Sequence, residues 1–221
     1  DTVAQMSRDG IDEAVVLAMA PHYSSMSIAK YRALVDEANQ ALSKPMRMRF
    51  INSWHTEPAF VSSLVQRVRQ ASEHFSAEER EGLTVLFTAH SLPEKSLKDG
   101  DPYSEQLLET SRLVAEAAGI KNWRFAFQSA GRTSEPWLGP DILSVLGDLA
   151  SKKQSAALVC VVGFVADHLE VLYDIDVEAK PHASGLGIHL ERIEMLNDDP
   201  VLIQGLANVA QRAFTSMLSA V

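Results

Sequence analysis

Short apolar runs alternate with longer amphipathic runs along this chain of 221 residues, and clusters of Gly, Pro or Ser mark the joins between them. The apolar runs predict six strands, at residues 14–20, 47–54, 83–89, 123–129, 155–164 and 187–193. The amphipathic runs predict helices at residues 28–42, 58–75, 104–118, 137–150, 162–180 and 200–218. This alternation is typical of an α/β fold with a parallel, doubly wound sheet, whose ligands bind beyond the carboxyl ends of the strands.

The helix predicted at residues 162–180 carries an acidic stripe. Glu170, Asp174 and Glu178 stand four residues apart, and at about 100° per residue they fall within an arc of about 80°. Leu169, Leu172 and Tyr173 are predicted to form the opposite, apolar face. Like charges at this spacing cost roughly a few tenths of a kcal/mol per pair. No Lys or Arg before Lys180 is placed to offset that repulsion.

Two interpretations of the acidic stripe stay open. It is either a solvated helix face on an acidic protein, or the lining of a path for cations. Carboxylate oxygens are the ligands that hydrated divalent ions prefer. Closely spaced carboxylates also raise one another's pKa, which makes them usable proton acceptors near neutral pH.

Composition limits the kind of ligand and compartment. The net charge is -9 and no run of Lys or Arg is present, which argues against a nucleic-acid partner and favours cationic or metal-bearing ligands. Cys160 is the only cysteine, so an internal disulfide and a cluster of thiolate ligands are excluded, and a reducing compartment is expected. No apolar stretch approaches the roughly 18 residues of a transmembrane helix.

Three strand-end loops hold candidate functional residues. His90 follows the third strand directly; a lone histidine is usually structural, but this position favours a ligand or an acid–base group. Trp137, in a loop rich in Gly, Ser and Pro, is either a core residue or a platform for a flat aromatic ligand. The loop at residues 20–27 offers His22, Tyr23 and several hydroxyls, although helix capping alone explains Ser27. In a parallel sheet, His90 and Glu170 emerge at the same edge.

Three segments resemble the hallmark sequences of the ferrochelatases. They are LFTAHSLPEKSLKDGDPY at residues 86–103, QSAGRTSEPWLGP at residues 128–140 and VGFVADHLEVLYDID at residues 162–176. The variant VADHLEVLYD, together with the lack of a cysteine cluster, is most similar to the Gram-positive branch, whose members insert iron into coproporphyrin III. The resemblance implies a Rossmann-like chelatase fold and an enzyme of the lyase class that acts in haem biosynthesis.

The resemblance also implies a role for each candidate residue. His90 and Glu170 match the catalytic pair that faces the macrocycle centre, and His90 is there a metal ligand or a proton acceptor. Asp174 and Glu178 match outer acidic residues on a route for metal or departing protons, so the implied metal-binding set is His90, Glu170, Asp174 and Glu178. Ser129 and Trp137 match residues on the wall of the porphyrin cleft.

The implied partners are ferrous iron and a porphyrin, either coproporphyrin III or protoporphyrin IX. No organic cofactor is expected, and a divalent ion such as Mg²⁺ is expected at the outer acidic site. The expected location is the cytoplasm, with peripheral contact with a membrane. Two alternatives stay open: a related cobalt or nickel tetrapyrrole chelatase, which usually presents more than one histidine to its metal, and a non-catalytic haem- or metal-binding module.

Members of the family begin earlier than this chain does. Residues 1–10 read as the end of a helix that Gly10 terminates, without an initiator Met or a signal-peptide pattern. We therefore expect that the chain lacks the N-terminal units of the family. The expected organisation is a remnant of the N-terminal chelatase domain at residues 1–19, a C-terminal Rossmann-like domain at 20–199, and a closing helix at 200–221.

Overall fold

The computed structural model describes residues 1–98, 100–131 and 133–219, and these residues confirm the α/β class. The strands are β1 (Glu13–Leu17), β2 (Arg47–Ile51), β3 (Thr84–His90), β4 (Trp123–Gln128), β5 (Ala156–Val161) and β6 (His189–Arg192). The helices are α1 (Thr2–Arg8), α2 (Ile28–Gln40), α3 (Pro58–Ser72), α4 (Ala77–Gly82), α5 (Lys95–Lys98), α6 (Tyr103–Ala118), α7 (Ile142–Ser151), α8 (Leu169–Val171), α9 (Lys180–Gly185) and α10 (Pro200–Leu218). Between α8 and α9 lies a π-helix, π1 (Leu172–Ala179).

The strands divide between two sheets, where the sequence pattern had suggested one. The parallel pair β1–β2 forms one sheet, and the other has the order β4-β3-β5-β6 with every pair parallel. The alternation of strands and helices predicts parallel pairing but carries no information about which strands become neighbours. The predicted boundary at residue 19 falls between β1 and its partner β2, and the division of the chain into domains stays a prediction.

The four-stranded sheet is covered on both faces. Val85 and Phe87 of β3 point into a core that includes residues of α3, α6 and α10. Leu86, between them, points into a second core with residues of α7, π1 and α9. All six residues of β5 are buried, as its continuous apolar run predicts for a covered parallel strand. Each fully buried Leu, Val or Phe contributes about 1.5–3 kcal/mol by leaving water.

The topology places a switch point between β3 and β5. The chain leaves β3 for α6 on one face of the sheet and leaves β5 for α8 and π1 on the other face. Neighbouring strands whose connections diverge in this way leave a crevice at their carboxyl ends, where ligands of α/β proteins bind. Gly163 lets the chain after β5 lie close against the end of β3, because a Cβ atom at this position would lie 2.5 Å from the Ala89 Cβ atom.

The acidic helix differs from its prediction in start, type and buried face. It begins at Leu169 and not near residue 162, and its middle is the π-helix π1. The apolar face predicted from Leu169, Leu172 and Tyr173 is exposed to solvent. The buried face is instead formed by Val171, Ile175, Ala179 and Ala183. A π-helix holds more residues per turn than an α-helix, so a projection at 100° per residue does not describe this segment.

Capping residues explain the other differences. Helix α7 begins at Ile142 and not at Trp137, because the Asp141 side chain accepts hydrogen bonds from the N–H groups of the first turn. Helix α4 was not predicted, since AEEREG has no apolar periodicity. It is started by a capping box between Ser76 and Glu79. Helix α6 ends as predicted, at Gly119, whose φ of 75° lies in the left-handed region that favours glycine.

Candidate functional site

The inner site lies at the switch point, in a cleft of about 490 Å³. His90 ends β3, and Glu170 follows β5 in the first turn of α8. The His90 Nε2 atom lies 3.5 Å from the Glu170 Oε2 atom, and the two side chains are 31% and 47% exposed. Tyr31, Leu92 and Phe164 contribute to the walls of the cleft. The structure thus brings together the two residues that the sequence placed at one sheet edge.

The contacts of His90 fix which ring nitrogen faces Glu170. Its Nδ1 atom lies against the Ser91 carbonyl oxygen. A carbonyl oxygen only accepts hydrogen bonds, so Nδ1 carries the proton and Nε2 of the neutral ring presents a lone pair. The Tyr103 hydroxyl donates to the His90 carbonyl oxygen at 3.1 Å, and burial, with the nearby Asp101 carboxylate, raises the pKa of Tyr103, which keeps that donor protonated. A lone pair therefore faces a carboxylate, an arrangement that a proton or a cation between them stabilises.

His168 is a second histidine at Glu170, and the sequence analysis did not single it out. It caps α8, with its Nδ1 atom accepting from the Glu170 N–H at 3.3 Å. The same Nδ1 atom is 3.8 Å from Glu170 Oε2. The ring packs against Phe164, with the ring centroids 5.2 Å apart. The sequence signal that could have identified His168 is its position two residues before Glu170 in a strand-end loop.

The outer acidic site is a separate cavity of about 180 Å³. Asp174 and Glu178 line it together with Gln128 and Ser129. The Ser129 hydroxyl donates to Asp174 Oδ2, and Ser129 has a φ of 61°, which is uncommon for a residue other than glycine. Such backbone conformations are concentrated at functional sites.

The four predicted metal ligands therefore form two pairs and not one group. His90 and Glu170 belong to the inner cleft, whereas Asp174 and Glu178 line the outer cavity. Within residues 1–98, 100–131 and 133–219, no three His, Cys, Asp or Glu side chains are grouped closely enough to hold one metal ion. A metal bound at either pair would complete its coordination with substrate or water.

Arg192 of β6 supplies the positive charge that π1 lacks in its own sequence. Its Nε and Nη2 atoms donate to the two carboxylate oxygens of Asp176 at 2.9–3.1 Å. The hydrogen bonds from Asp176 raise the pKa of Arg192. A bidentate pair of this kind has a fixed orientation, so it holds π1 against the sheet edge with Asp174 and Glu178 on the cavity side.

Ser129 and Trp137 do not line the inner cleft. Ser129 belongs to the outer cavity. The Trp137 ring lies over Gly131, where a Cβ atom would be 2.3 Å from the ring, and its Nε1 atom donates to Thr133 Oγ1 at 2.9 Å. Neither side chain therefore lines the cleft that holds His90 and Glu170.

The loop at residues 20–27 is fixed by buried polar contacts. Asp101 accepts hydrogen bonds from the Ser25 N–H at 2.6 Å and from the Ser25 hydroxyl at 2.7 Å. His22 is 3% exposed, and its Nε2 atom bonds Thr110 Oγ1 at 2.9 Å. Burial, and to a lesser extent the charge of His55, lowers the pKa of His22 to about 3. His22 is therefore a neutral, nearly buried histidine in the wall of the inner cleft.

Buried His22 should make the fold sensitive to acid. The pKa of His22 is lowered on folding, so the unfolded chain binds the proton more tightly than the folded chain does. As pH falls below about 6.5, protonation of this histidine therefore favours the unfolded chain. Between pH 7 and pH 5 we expect this group alone to lower the free energy of unfolding by about 2 kcal/mol. Urea denaturation at both pH values tests this in wild type, in His22→Gln and in the exposed control His182→Gln. An identical pH dependence in wild type and His22→Gln would contradict the assignment.

Comparison with known proteins decides the family. A family model described as ferrochelatase matches residues 1–214. The chain belongs to the ferrochelatase family. It is 46% identical over 209 residues to a ferrochelatase of Herpetosiphon aurantiacus, an alignment that covers 95% of this chain and 68% of that protein. It is 43% identical over 210 residues to the coproporphyrin III ferrochelatase of Bacillus subtilis, covering 95% of this chain and 67% of that protein.

A solved structure confirms the fold. The sirohydrochlorin chelatase of Bacillus subtilis subspecies spizizenii, determined in complex with cobalt, superposes with a TM-score of 0.63. The match covers 94% of this chain and 71% of that chain at 9% sequence identity, so it shows a shared chelatase fold and nothing more specific. Among the residues that the structure describes, no helix has the length and apolar character needed to cross a membrane.

Proposed function

We propose that this ferrochelatase inserts ferrous iron into coproporphyrin III. The observation that carries the proposal is the His90 Nε2 lone pair, held 3.5 Å from the Glu170 carboxylate in an open cleft at the switch point. Support for the porphyrin comes from the relatives, since those from Geobacillus and Bacillus subtilis, 45% and 43% identical, are coproporphyrin III ferrochelatases.

Metal insertion into a porphyrin needs groups that accept protons and groups that bind the metal ion. Metal insertion releases two protons from pyrrole nitrogens and replaces water on the ion with those nitrogens, without any change of oxidation state. Neutral His90 and ionised Glu170 can both accept a proton, and both can bind a divalent ion. For bonds of about 2.1 Å to nitrogen and oxygen, as in zinc sites, a 3.5 Å separation corresponds to an angle of about 110° at the metal. The pair is therefore spaced for one ion in transit.

The same proposal gives each candidate residue a role. Glu170 acts as the proton acceptor, and His90 guides the metal or accepts the second proton. The roles of Ser129 and Trp137 at the porphyrin rest on the family resemblance alone, because neither lines the inner cleft. A cytoplasmic site of action, with peripheral membrane contact, completes the proposal.

An anaerobic insertion assay tests the substrate. With Fe²⁺ and the whole protein, we expect kcat/KM for coproporphyrin III to exceed that for protoporphyrin IX at least tenfold, a discrimination of about 1.4 kcal/mol. Equal or higher values for protoporphyrin IX would contradict the choice of porphyrin. Insertion of cobalt or nickel but not iron would favour the related chelatases, and tetrapyrrole binding without insertion would favour a binding module.

The outer pair, Asp174 and Glu178, is proposed to hold a hydrated divalent ion such as Mg²⁺. Two carboxylates and a hydroxyl supply the hard oxygen ligands that this ion prefers, with water completing the shell. Soaking crystals in Mn²⁺ should produce an anomalous peak against Asp174 and Glu178, and the double variant Asp174→Asn, Glu178→Gln should remove it. A wild-type map without an anomalous peak at high metal concentration would instead favour the interpretation of these residues as a solvated helix face.

A further inference from the structure

The loop that carries Glu170 is exposed to solvent along most of its length. Val165 and Val171 are buried, but the five residues between them, 166–170, are all exposed. A segment with few buried apolar contacts opens and moves more easily than the core around it. The position of the Glu170 carboxylate opposite His90 therefore needs support from outside the loop.

Asn197, in the segment between β6 and α10, makes three hydrogen bonds to this loop. Its backbone N–H donates to the Val165 carbonyl oxygen at 2.8 Å. Its Oδ1 atom accepts from the Asp167 N–H at 2.9 Å, and its Nδ2 atom donates to Asp167 Oδ2 at 2.9 Å. An amide N–H only donates and a carboxylate only accepts, so these two partners fix the orientation of the carboxamide. Among the residues that the structure describes, residues 164–168 make no other hydrogen bond to a distant segment.

Asn197 is itself attached to the core of the protein. The two residues before it are buried on opposite faces of the four-stranded sheet, Met195 with α7 and α9 and Leu196 with α3 and α10. Asn197 has a φ of 50°, in the left-handed region that asparagine adopts more readily than most residues other than glycine. Asn197 thus connects an exposed loop to a segment that two hydrophobic cores hold in place.

The loop passes this support on to Glu170 through the helix cap. His168 follows Asp167 directly and caps α8, with its Nδ1 atom accepting from the Glu170 N–H at 3.3 Å. A shift of the loop at Asp167 therefore moves the cap and the helical turn that carries Glu170. A misplacement of about 1 Å at a reacting group can cost about a hundredfold in rate.

We propose that Asn197 is a positioning residue for iron insertion, which holds the Glu170 carboxylate opposite His90 through its hydrogen bonds to Val165 and Asp167. This inference rests on the proposed function. Asn197 is not among the residues that line the inner cleft, so it acts through the loop and not on the porphyrin. Its substitution should therefore lower kcat and leave the KM for porphyrin unchanged.

Exchanging the two side chains tests the contact between them. Asn197→Asp keeps a residue that tolerates the left-handed conformation, but it places a second carboxylate against Asp167. We expect kcat to fall about tenfold to a hundredfold, the usual effect of losing an outer hydrogen-bonding partner at an active site. In the double variant Asn197→Asp, Asp167→Asn the amide and the carboxylate change places. Both side-chain hydrogen bonds can then form at the net charge of wild type, and most of kcat should return.

Two further variants separate charge and folding from positioning. Asn208→Asp, at an exposed position on α10, controls for the added negative charge. Asn197→Gly keeps the left-handed conformation and removes the side chain without introducing repulsion. In its crystal structure we expect the loop at residues 166–168 to be displaced and the distance from His90 Nε2 to Glu170 Oε2 to differ from 3.5 Å. Rates are measured below the melting temperature of each variant, so that unfolding does not contribute to the loss.

The outcomes distinguish this inference from the proposed function. Asn197→Asp with the kcat of wild type, or a double variant no faster than Asn197→Asp, would overturn the role of Asn197 and leave the proposed function intact. An undisplaced loop in Asn197→Gly would overturn it as well. Wild-type protein without insertion activity would instead overturn the proposed function.

Discussion

Replacing His90 with alanine is expected to abolish iron insertion in the whole protein while porphyrin binding and the fold are retained. The His90 Nε2 atom carries the lone pair that faces Glu170, 3.5 Å from the Glu170 Oε2 atom. Substitution by alanine therefore removes the proposed metal ligand and proton acceptor together. A positioned base alone is worth about 10²–10⁴ in rate, and we expect a loss of at least about a thousandfold. The side chain is partly exposed, so little buried apolar contact is lost.

Three measurements on one sample separate these effects. They are the initial rate of Fe²⁺ insertion, a porphyrin titration and a thermal melt. His182→Ala is the matched control, because His182 is exposed on α9 outside both cavities. Insertion by His90→Ala at close to the wild-type rate would show that the assignment of His90 is wrong.

The parts of the fold that the sequence predicted are those in which one signal dominates. The run that forms β5 is apolar throughout, and a covered parallel strand is the ordinary outcome of such a run. Helix α10 begins and ends where it was predicted. Its start is marked by Asp199, which caps the helix, and by Pro200, which occupies the first turn. In both segments local propensity and burial favour the same structure.

The parts that the sequence could not predict depend on contacts between distant segments. The split into two sheets requires knowing that β1 pairs with β2 and not with a strand of the other sheet. The π-helix is another case, since its acidic spacing fits an α-helix equally well. Its register is fixed from outside, by the pair between Asp176 and Arg192, which lie 16 residues apart on π1 and β6.

The candidate site divides in the same way. His90 and Glu170 could be paired from the sequence because strand-end residues of a parallel sheet share one edge. The separation of Asp174 and Glu178 into their own cavity could not be predicted from the sequence. It depends on the turn of π1 and on the Ser129 hydroxyl, which donates a hydrogen bond to Asp174. Gln128, which also lines the outer cavity, reads in the sequence as an ordinary strand residue.

The proposed mechanism depends most on Glu170. Glu170→Gln keeps the shape of the side chain but cannot accept a proton, and we expect kcat to fall at least about a hundredfold, the lower value for a positioned base. Glu170 is about half exposed, so the change leaves no buried charge unpaired, and stability and porphyrin affinity should hardly change. A loss in kcat with an unchanged KM for porphyrin would mean that the carboxylate acts on the reaction and not on binding.

Steady-state insertion of Fe²⁺ and of Zn²⁺ across a range of pH, paired with porphyrin titration, measures this effect. Glu81→Gln, at an exposed position on α4, controls for the loss of one negative charge. If Glu170→Gln loses rate with both ions, the affected step is common to the two metals and not specific to iron. If it keeps both the rate and the pH profile, the proton acceptor is another group. His90 is then the leading substitute, because its Nε2 lone pair faces the same cleft.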